Sequence, residues 1–317
     1  MIPRPYCLWL LGICGELLLG GNSMHVSATT TGLLAFGVLF LTPPVGSCAE
    51  ALQQISPVQL VREVVFNELH DHQAHGYWRY LVEKRQQHDT RLEEQIETAD
   101  GPVTKLVLEN GHSPTAENEL ADQARLSHLL TSPADQARLR QEHSDDERRI
   151  GRILALLPEA FLFGSAGYEG GLCHLRFSPN PDYPAHGVES RVFHAMSGDL
   201  WIDIRLKHLV RLDGQLQSNV DFGYGILGRL NKGGWFRLRR VQVDETNWKT
   251  ERLEVHMSGR ALLLKTIALE TSEIRSNFFP VPARLTLAQG IDMVRSQSVA
   301  EMLATSKIVS TSYMHRP

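Results

Sequence analysis

The period of the apolar positions changes several times along the chain, and each change marks an element. After Ser56-Pro57, an N-cap and a first-turn proline, Leu60, Val61, Val64, Val65 and Leu69 recur at helical spacing, which predicts an amphipathic helix over 56–70. The period then falls to two. Tyr77 to Glu83, Arg91 to Glu97 and Val103 to Glu109 read as strands, separated by the turn signals Gln87-His88-Asp89 and Asp100-Gly101-Pro102. A helix followed by an antiparallel meander is the expected opening of the fold.

Residues 112–158 lose the alternation and fill with Ala, Gln, Arg and Glu, so helix is expected there. Ser113-Pro114, Ser132-Pro133 and the capping box Ser144-Asp145-Asp146-Glu147 each offer a start, which predicts three short helices. Ala121 to Leu126 recurs as Ala134 to Leu139, but two copies do not make a solenoid. The charge run from Glu142 to Arg149 reads as a solvated face.

From Ala160 the chain is strand and turn almost throughout. Turn signals at Gly167, Asn180-Pro181, Gly198, Asp213-Gly214, Gly233-Gly234, Asn247 and Gly259 separate the segments 191–195, 200–205, 208–212, 216–222, 235–242, 252–256 and 261–269. So many strands at roughly ten-residue spacing predict a barrel or a large curved antiparallel sheet. A last short helix is expected over Leu285 to Arg295, and a frayed tail from Thr305.

Residues 1–49 contain one Arg, one Glu and no Lys or Asp, whereas the other 268 carry 31 basic and 35 acidic residues. Within that head, the ten-residue apolar run Gly32 to Leu41 is followed by Pro43-Pro44 and the small residues Val45 to Ala49, the pattern of a secretory signal. A bilayer crossing needs about 20 apolar residues, so no retained transmembrane helix is expected. Met24, just ahead of the run, is an alternative translation start. Two processing routes stay open. Ordinary cleavage after Ala49 is favoured, and lipidation of Cys48 behind Val45-Gly46-Ser47 is the alternative. The expected organisation is a signal peptide over 1–49, one domain over 50–304 with a helical insertion at 112–158, and a tail over 305–317.

With 42% hydrophobic and 21% charged residues the chain has the composition of a folded globular protein, and a net charge of −4 supplies no global basic excess for nucleic acid. Cleavage after Ala49 leaves Cys173 alone, so no disulfide framework is expected. Cys173 and His174 are neighbours on a strand and point to opposite faces, which excludes a catalytic dyad. Gly223 to Gly228 spells G-x-G-x-x-G, yet Lys232-Gly233-Gly234 and a strand follow where a dinucleotide fold needs a helix. His70, His72 and His75 with Asp71 could ligate a metal at a helix end, but their loop setting favours solvated residues and no metal is assigned. No hydrolase motif, P-loop or paired carboxylate gives an enzyme a nucleophile or base, so no catalytic residue and no cofactor are assigned. Arg229, Lys232, Arg237 and Arg239, with Arg240 and the aromatic residues Trp235 and Phe236, make the densest basic patch and a candidate anion site.

Several stretches carry a family resemblance: Arg176 to Pro181, Met196 to Asp203, Asp221 to Gly228, Asn231 to Phe236, and Pro280-Val281-Pro282 leading to Leu285-Thr286-Leu287. On these, the segment 176–289 resembles an uncharacterised family of exported bacterial proteins, typical of acidobacteria, described as outer-membrane lipoprotein-sorting-like. More distantly the layout is similar to the LolA/LolB lipoprotein-carrier superfamily. The resemblance implies an α+β fold, a curved incomplete antiparallel barrel with an N-terminal helix and a helical insertion covering its concave face. It also implies a periplasmic or envelope location and a non-enzymatic protein that binds a lipid or lipoprotein acyl chain in an apolar cavity. Candidate lining residues are Trp201, Phe222, Trp235, Phe236 and Leu263. The alternative is an envelope structural or interaction module with a filled core, whose sheet edges or basic strand meet another protein.

Overall fold

A computed structural model describes residues 56–74, 76–86, 89–184, 187–223, 228–261 and 265–296. The signal-like head with Cys48, the tail from 305 and Leu263 lie outside the described residues. So do the side chains of Asp71 and His72 and the whole of His75.

Helix α1 (Pro57–Ala74) leads into strands β1 (Trp78–Gln86), β2 (Asp89–Ile96) and β3 (Val103–Glu109). Helices α2 (Ala116–Thr131) and α3 (Pro133–Ala160) follow, then β4 (Phe161–Glu169) and β5 (Leu172–Pro179). After α4 (Val188–His194) come β6 (Met196–Asp203), β7 (His208–Leu216), β8 (Val220–Phe222), β9 (Gly228–Leu230), β10 (Trp235–Gln242), β11 (Trp248–Ala261) and β12 (Lys265–Pro280). Helix α5 (Leu287–Ser296) closes the described chain. The fold is α+β, with a 12-stranded open antiparallel sheet in the order β3-β2-β1-β12-β11-β10-β7-β6-β5-β4, and β8 and β9 attached beside β11.

The expected N-cap of α1 holds: Ser56 Oγ accepts from the Gln59 N–H at 3.2 Å. Its stripe Leu60, Val61, Val64 and Val65 is buried in the main core with Phe161, Phe177, Leu200, Ile202, Val255 and Met257. Several sequence expectations fail: the turns expected at Gly167, Gly198, Asp213-Gly214 and Gly259 lie inside β4, β6, β7 and β11, the strand expected over 216–222 is divided between the end of β7 and β8, and α2 is capped by Thr115 instead of Ser113. The insertion forms two helices, because Ser132 both ends α2 and caps α3, accepting from the Asp135 N–H at 3.3 Å. The Ser144 capping box lies inside α3, where Asp145 instead takes Gln141 and Arg148 as partners one helical turn away on either side. Residues 191–195, expected as strand, fall largely within α4, whose Val192 and Phe193 enter the main core.

A second cluster joins Ile96 and Val103 of the meander to Leu126 and Leu129 of α2, Leu139 of α3 and Ile291 and Val294 of α5. Buried ion pairs join neighbouring elements. Glu68 on α1 meets Arg240 of β10, and its Oε1 lies 3.5 Å from His208 Nδ1 on β7. Glu94, with 0% of its side chain exposed, accepts from Arg79 Nε at 2.5 Å. Among the described residues no helix is long and apolar enough to cross a membrane.

Candidate functional site

Period two divides each central strand between two faces. The face that meets α1 and α4 carries Phe177, Leu200, Leu212, Phe236 and Leu253, all in or against the main core. Gly198 and Gly214 are direct partners on β6 and β7, with Phe177 and Phe236 on the flanking strands. A Cβ on Gly214 would run into the Phe236 ring, and one on Gly198 would stand 2.9 Å from the Phe177 ring. Glycine is required there by close packing.

The opposite face is polar and open. Arg176, Asp199, Asp213, Arg237 and Glu254 stand in register across β5, β6, β7, β10 and β11. A groove of about 770 Å³ runs over this face from Leu162 past Arg176, Ser197 and Asp213 to Trp235 and Arg237. Trp201 lies between its strand neighbours, stacked on His174 at 4.5 Å and beneath the Arg211 guanidinium at 4.2 Å. His174 Nε2 is 2.8 Å from Asp199 Oδ1. Trp235 repeats the arrangement with His256 at 5.9 Å and Arg237 at 4.6 Å.

This geometry separates the expected cavity residues. Phe222 is buried in the main core, Phe236 packs against that core and also lines the groove beside Trp235, and Trp201 stands on the open face outside the groove lining. The four do not line one cavity. The expected basic patch also divides. Arg237 and Arg239 share the open face, while Arg229 is paired with Asp221 at 2.5 Å on the β8–β9 ribbon and Lys232 sits in the turn after it. Alternation within one strand separates odd from even positions, but only the cross-strand register shows which residues of distant segments become neighbours. That register is what brings Arg211, Arg252, His174 and Asp199 beside Arg237 and Arg239.

The remaining motifs resolve structurally. Cys173 is buried in the core while His174 stands on the open face against Trp201, and burial pushes the thiol above its ordinary pKa despite a hydrogen bond from Tyr168. Gly223 and Gly228 flank the connection of two short antiparallel strands, β8 and β9, not a strand and a helix. His70 is within α1, its Nδ1 2.7 Å from the Phe66 carbonyl.

The two edges of the sheet differ sharply. On β3, the Leu106 N–H donates to Asp122 Oδ2 at 3.2 Å and Arg125 of α2 bonds the Thr104 carbonyl. On β4, residues Phe161 to Tyr168 carry no charge, Leu162 and Tyr168 are 52% and 57% exposed, and among the described residues β5 is the strand's single partner. Among the described residues, no hydrogen bond from outside the β4–β5 ladder reaches the backbone of 162–167.

Comparison with protein-family models, with curated proteins and with solved structures finds no match to the chain.

Proposed function

We propose that the protein is a non-enzymatic interaction module of the cell envelope that takes up an extended segment of a partner protein as a strand beside β4. The observation that carries this reading is the contrast between the two sheet edges. Natural sheets blunt their edges with charge, proline, bulges or a covering helix, because a bare edge templates another strand. Edge β3 is covered by α2 through Asp122 and Arg125. Edge β4 has one irregularity, between Ser165 and Gly167, and no charge along 161–168; α1 and α3 pack on its core face, but among the described residues neither bonds the backbone of 162–167. Strand addition supplies affinity through main-chain hydrogen bonds and specificity through alternate side chains, which here would enter the groove beside Leu162 and Arg176.

The acyl-chain carrier is the competing reading. What weighs against it is that, of its expected lining, Phe222 is packed in the core and Trp201 stands outside the groove that Trp235 and Phe236 line. A native mass spectrum of the purified protein separates the two, since a carrier retains extractable lipid.

The edge is tested by placing a photoreactive residue at Leu162 and, as control, at Leu120, which is 66% exposed on α2. Irradiation of intact cells is expected to give a discrete adduct from position 162 and none from 120, with the cross-linked partner peptide lying in an extended stretch. Equal labelling from both positions, or none from 162, overturns the reading. An adduct of twice the chain mass makes the occupant a second copy.

A further inference from the structure

Cross-strand register assembles a row of three arginines on the open face, away from the β4 edge. Arg239 of β10 is the direct partner of Arg211 on β7 and of Arg252 on β11. Directly opposed residues have Cβ atoms about 4.5–5.5 Å apart, where like charges destabilise the sheet. Trp201 and His174 continue the row beyond Arg211.

The outer two arginines are compensated within their own strands. Arg211 Nε lies 3.0 Å from Asp213 Oδ2, and Arg252 Nη1 lies 3.4 Å from Glu254 Oε1. Those acids belong to the neighbouring row, where both stand directly opposite Arg237 in register. Arg239 is exposed and has no ion-pair partner among the described residues. Glu251, beside the register shift between β10 and β11, is exposed and forms no ion pair with it. Across both rows, Arg176, Arg211, Arg237, Arg239 and Arg252 outnumber Asp199, Asp213 and Glu254 on a chain whose net charge is −4.

We infer that the row Arg211–Arg239–Arg252 is an oxyanion site that receives a phosphate group, with Arg239 as its central ligand. A guanidinium presents its donors in a planar fork suited to phosphate oxygens, and more than one fork can meet a single tetrahedral anion. Stacking of Arg211 on Trp201 at 4.2 Å holds one fork in a defined plane beside the central arginine. A bound dianion removes the repulsion that the empty row carries. The phosphate comes either free in solution or on a lipid headgroup.

The test titrates inorganic phosphate into the purified protein at low ionic strength, following the arginine Nε–Hε resonances and the melting temperature. The Arg239 resonance is expected to shift and saturate as the melting temperature rises. Arg239→Gln should weaken phosphate binding about tenfold or more. In phosphate-free buffer the same variant should melt no lower than the wild type, because it relieves like-charge crowding; a structural role would lower it. Arg191→Gln, exposed on α4 at the opposite face of the sheet, should leave the affinity within about twofold, as a change outside the contact does. Binding to phosphatidylcholine vesicles doped with phosphatidylglycerol, competed by phosphate and lost in Arg239→Gln, assigns a headgroup. Phosphate binding with no vesicle binding assigns a soluble phosphate. Unchanged phosphate or vesicle binding in Arg239→Gln, or binding of neither probe by the wild type, overturns the site.

Discussion

The Leu106 N–H donates to Asp122 Oδ2 at 3.2 Å, so a side chain of α2 stands where a further strand of the sheet would otherwise lie. The neighbouring carbonyl of Thr104 is met in the same way by Arg125, whose Nη2 also lies 2.7 Å from Asp122. One helix thereby closes β3 as a pairing surface.

Asp122→Ala should reopen that edge. The lost hydrogen bond is expected to cost about 1 kcal/mol, with faster hydrogen exchange at Leu106 and little change on β1. In the wild type the exposed edge of β4 should exchange faster than that of β3. Exchange mass spectrometry with peptide resolution checks both statements.

The paired glycines give a packing test. Gly198→Ala should destabilise the protein by about 1–3 kcal/mol, since the added methyl meets the Asp213 backbone and the Phe177 ring. Gly164→Ala, with nothing within 4 Å of its Cβ position, should be near neutral. Urea denaturation of the two variants reads the contrast.

The buried pair Arg79–Glu94 should behave as a unit. Replacing Glu94 alone by Leu leaves a charged guanidinium in the interior and is expected to cost about 3–5 kcal/mol, whereas Arg79→Leu with Glu94→Leu should cost less than either single change. A double-mutant cycle measures the difference.

Glu94 and Glu68 should tilt the acid limb of stability in opposite directions. Burial raises the Glu94 pKa more than Arg79 and Lys105 lower it, so the folded state holds that proton more tightly than the unfolded chain. Its contribution is complete below the ordinary carboxylate value of 4.5 and fades as pH rises through the raised one. At Glu68, burial also opposes the charge, but the hydrogen bond and charge of His208, the charge of Arg240 and the Leu209 N–H together lower the pKa. Stability from Glu68 is therefore complete above 4.5 and is lost as pH falls through the lowered value. Denaturation midpoints against pH should show Glu68→Gln flattening the loss of stability in acid, and Glu94→Gln removing a loss on the rising side.

Cys173 should be silent toward thiol reagents in the native state. It is buried in the main core, and burial raises its pKa, so the thiolate is both scarce and inaccessible. Labelling at mildly alkaline pH should proceed only as denaturant opens the fold, and rapid native labelling would contradict this packing.

Local periodicity made much of this architecture legible. Ser56-Pro57 and the stripe Leu60 to Leu69 announce α1, and the alternation of 77–109 announces the meander. Residues 191–195 deceived because five residues with Val and Phe near the centre suit a strand as well as a helix turn, and burial in the core decided between them. Ser144 deceived because a capping box is a local option that side-chain pairs one turn away on either side override. The site was legible only in halves. Arg237 and Arg239 are visible on one strand, but Arg211 and Arg252 join them through a register set by hairpins and a bulge, which no single segment encodes.

The pairing of β1 with β12 makes the order of synthesis matter. Trp78 lies against Pro280 and Gln86 against Thr271, so the first strand finds its second neighbour only after nearly all of the described chain has been made. Until then the meander carries β1 as an open edge beside the Trp78, Tyr80 and Val82 cluster, which later packs with Val243 and Phe278. Contacts so distant in sequence must bear a large loop-closure entropy before they return any stability, so this part of the sheet zips late. A chain halted before residue 265 would present three bare edges instead of one, because β11 as well as β1 would lack its neighbour β12.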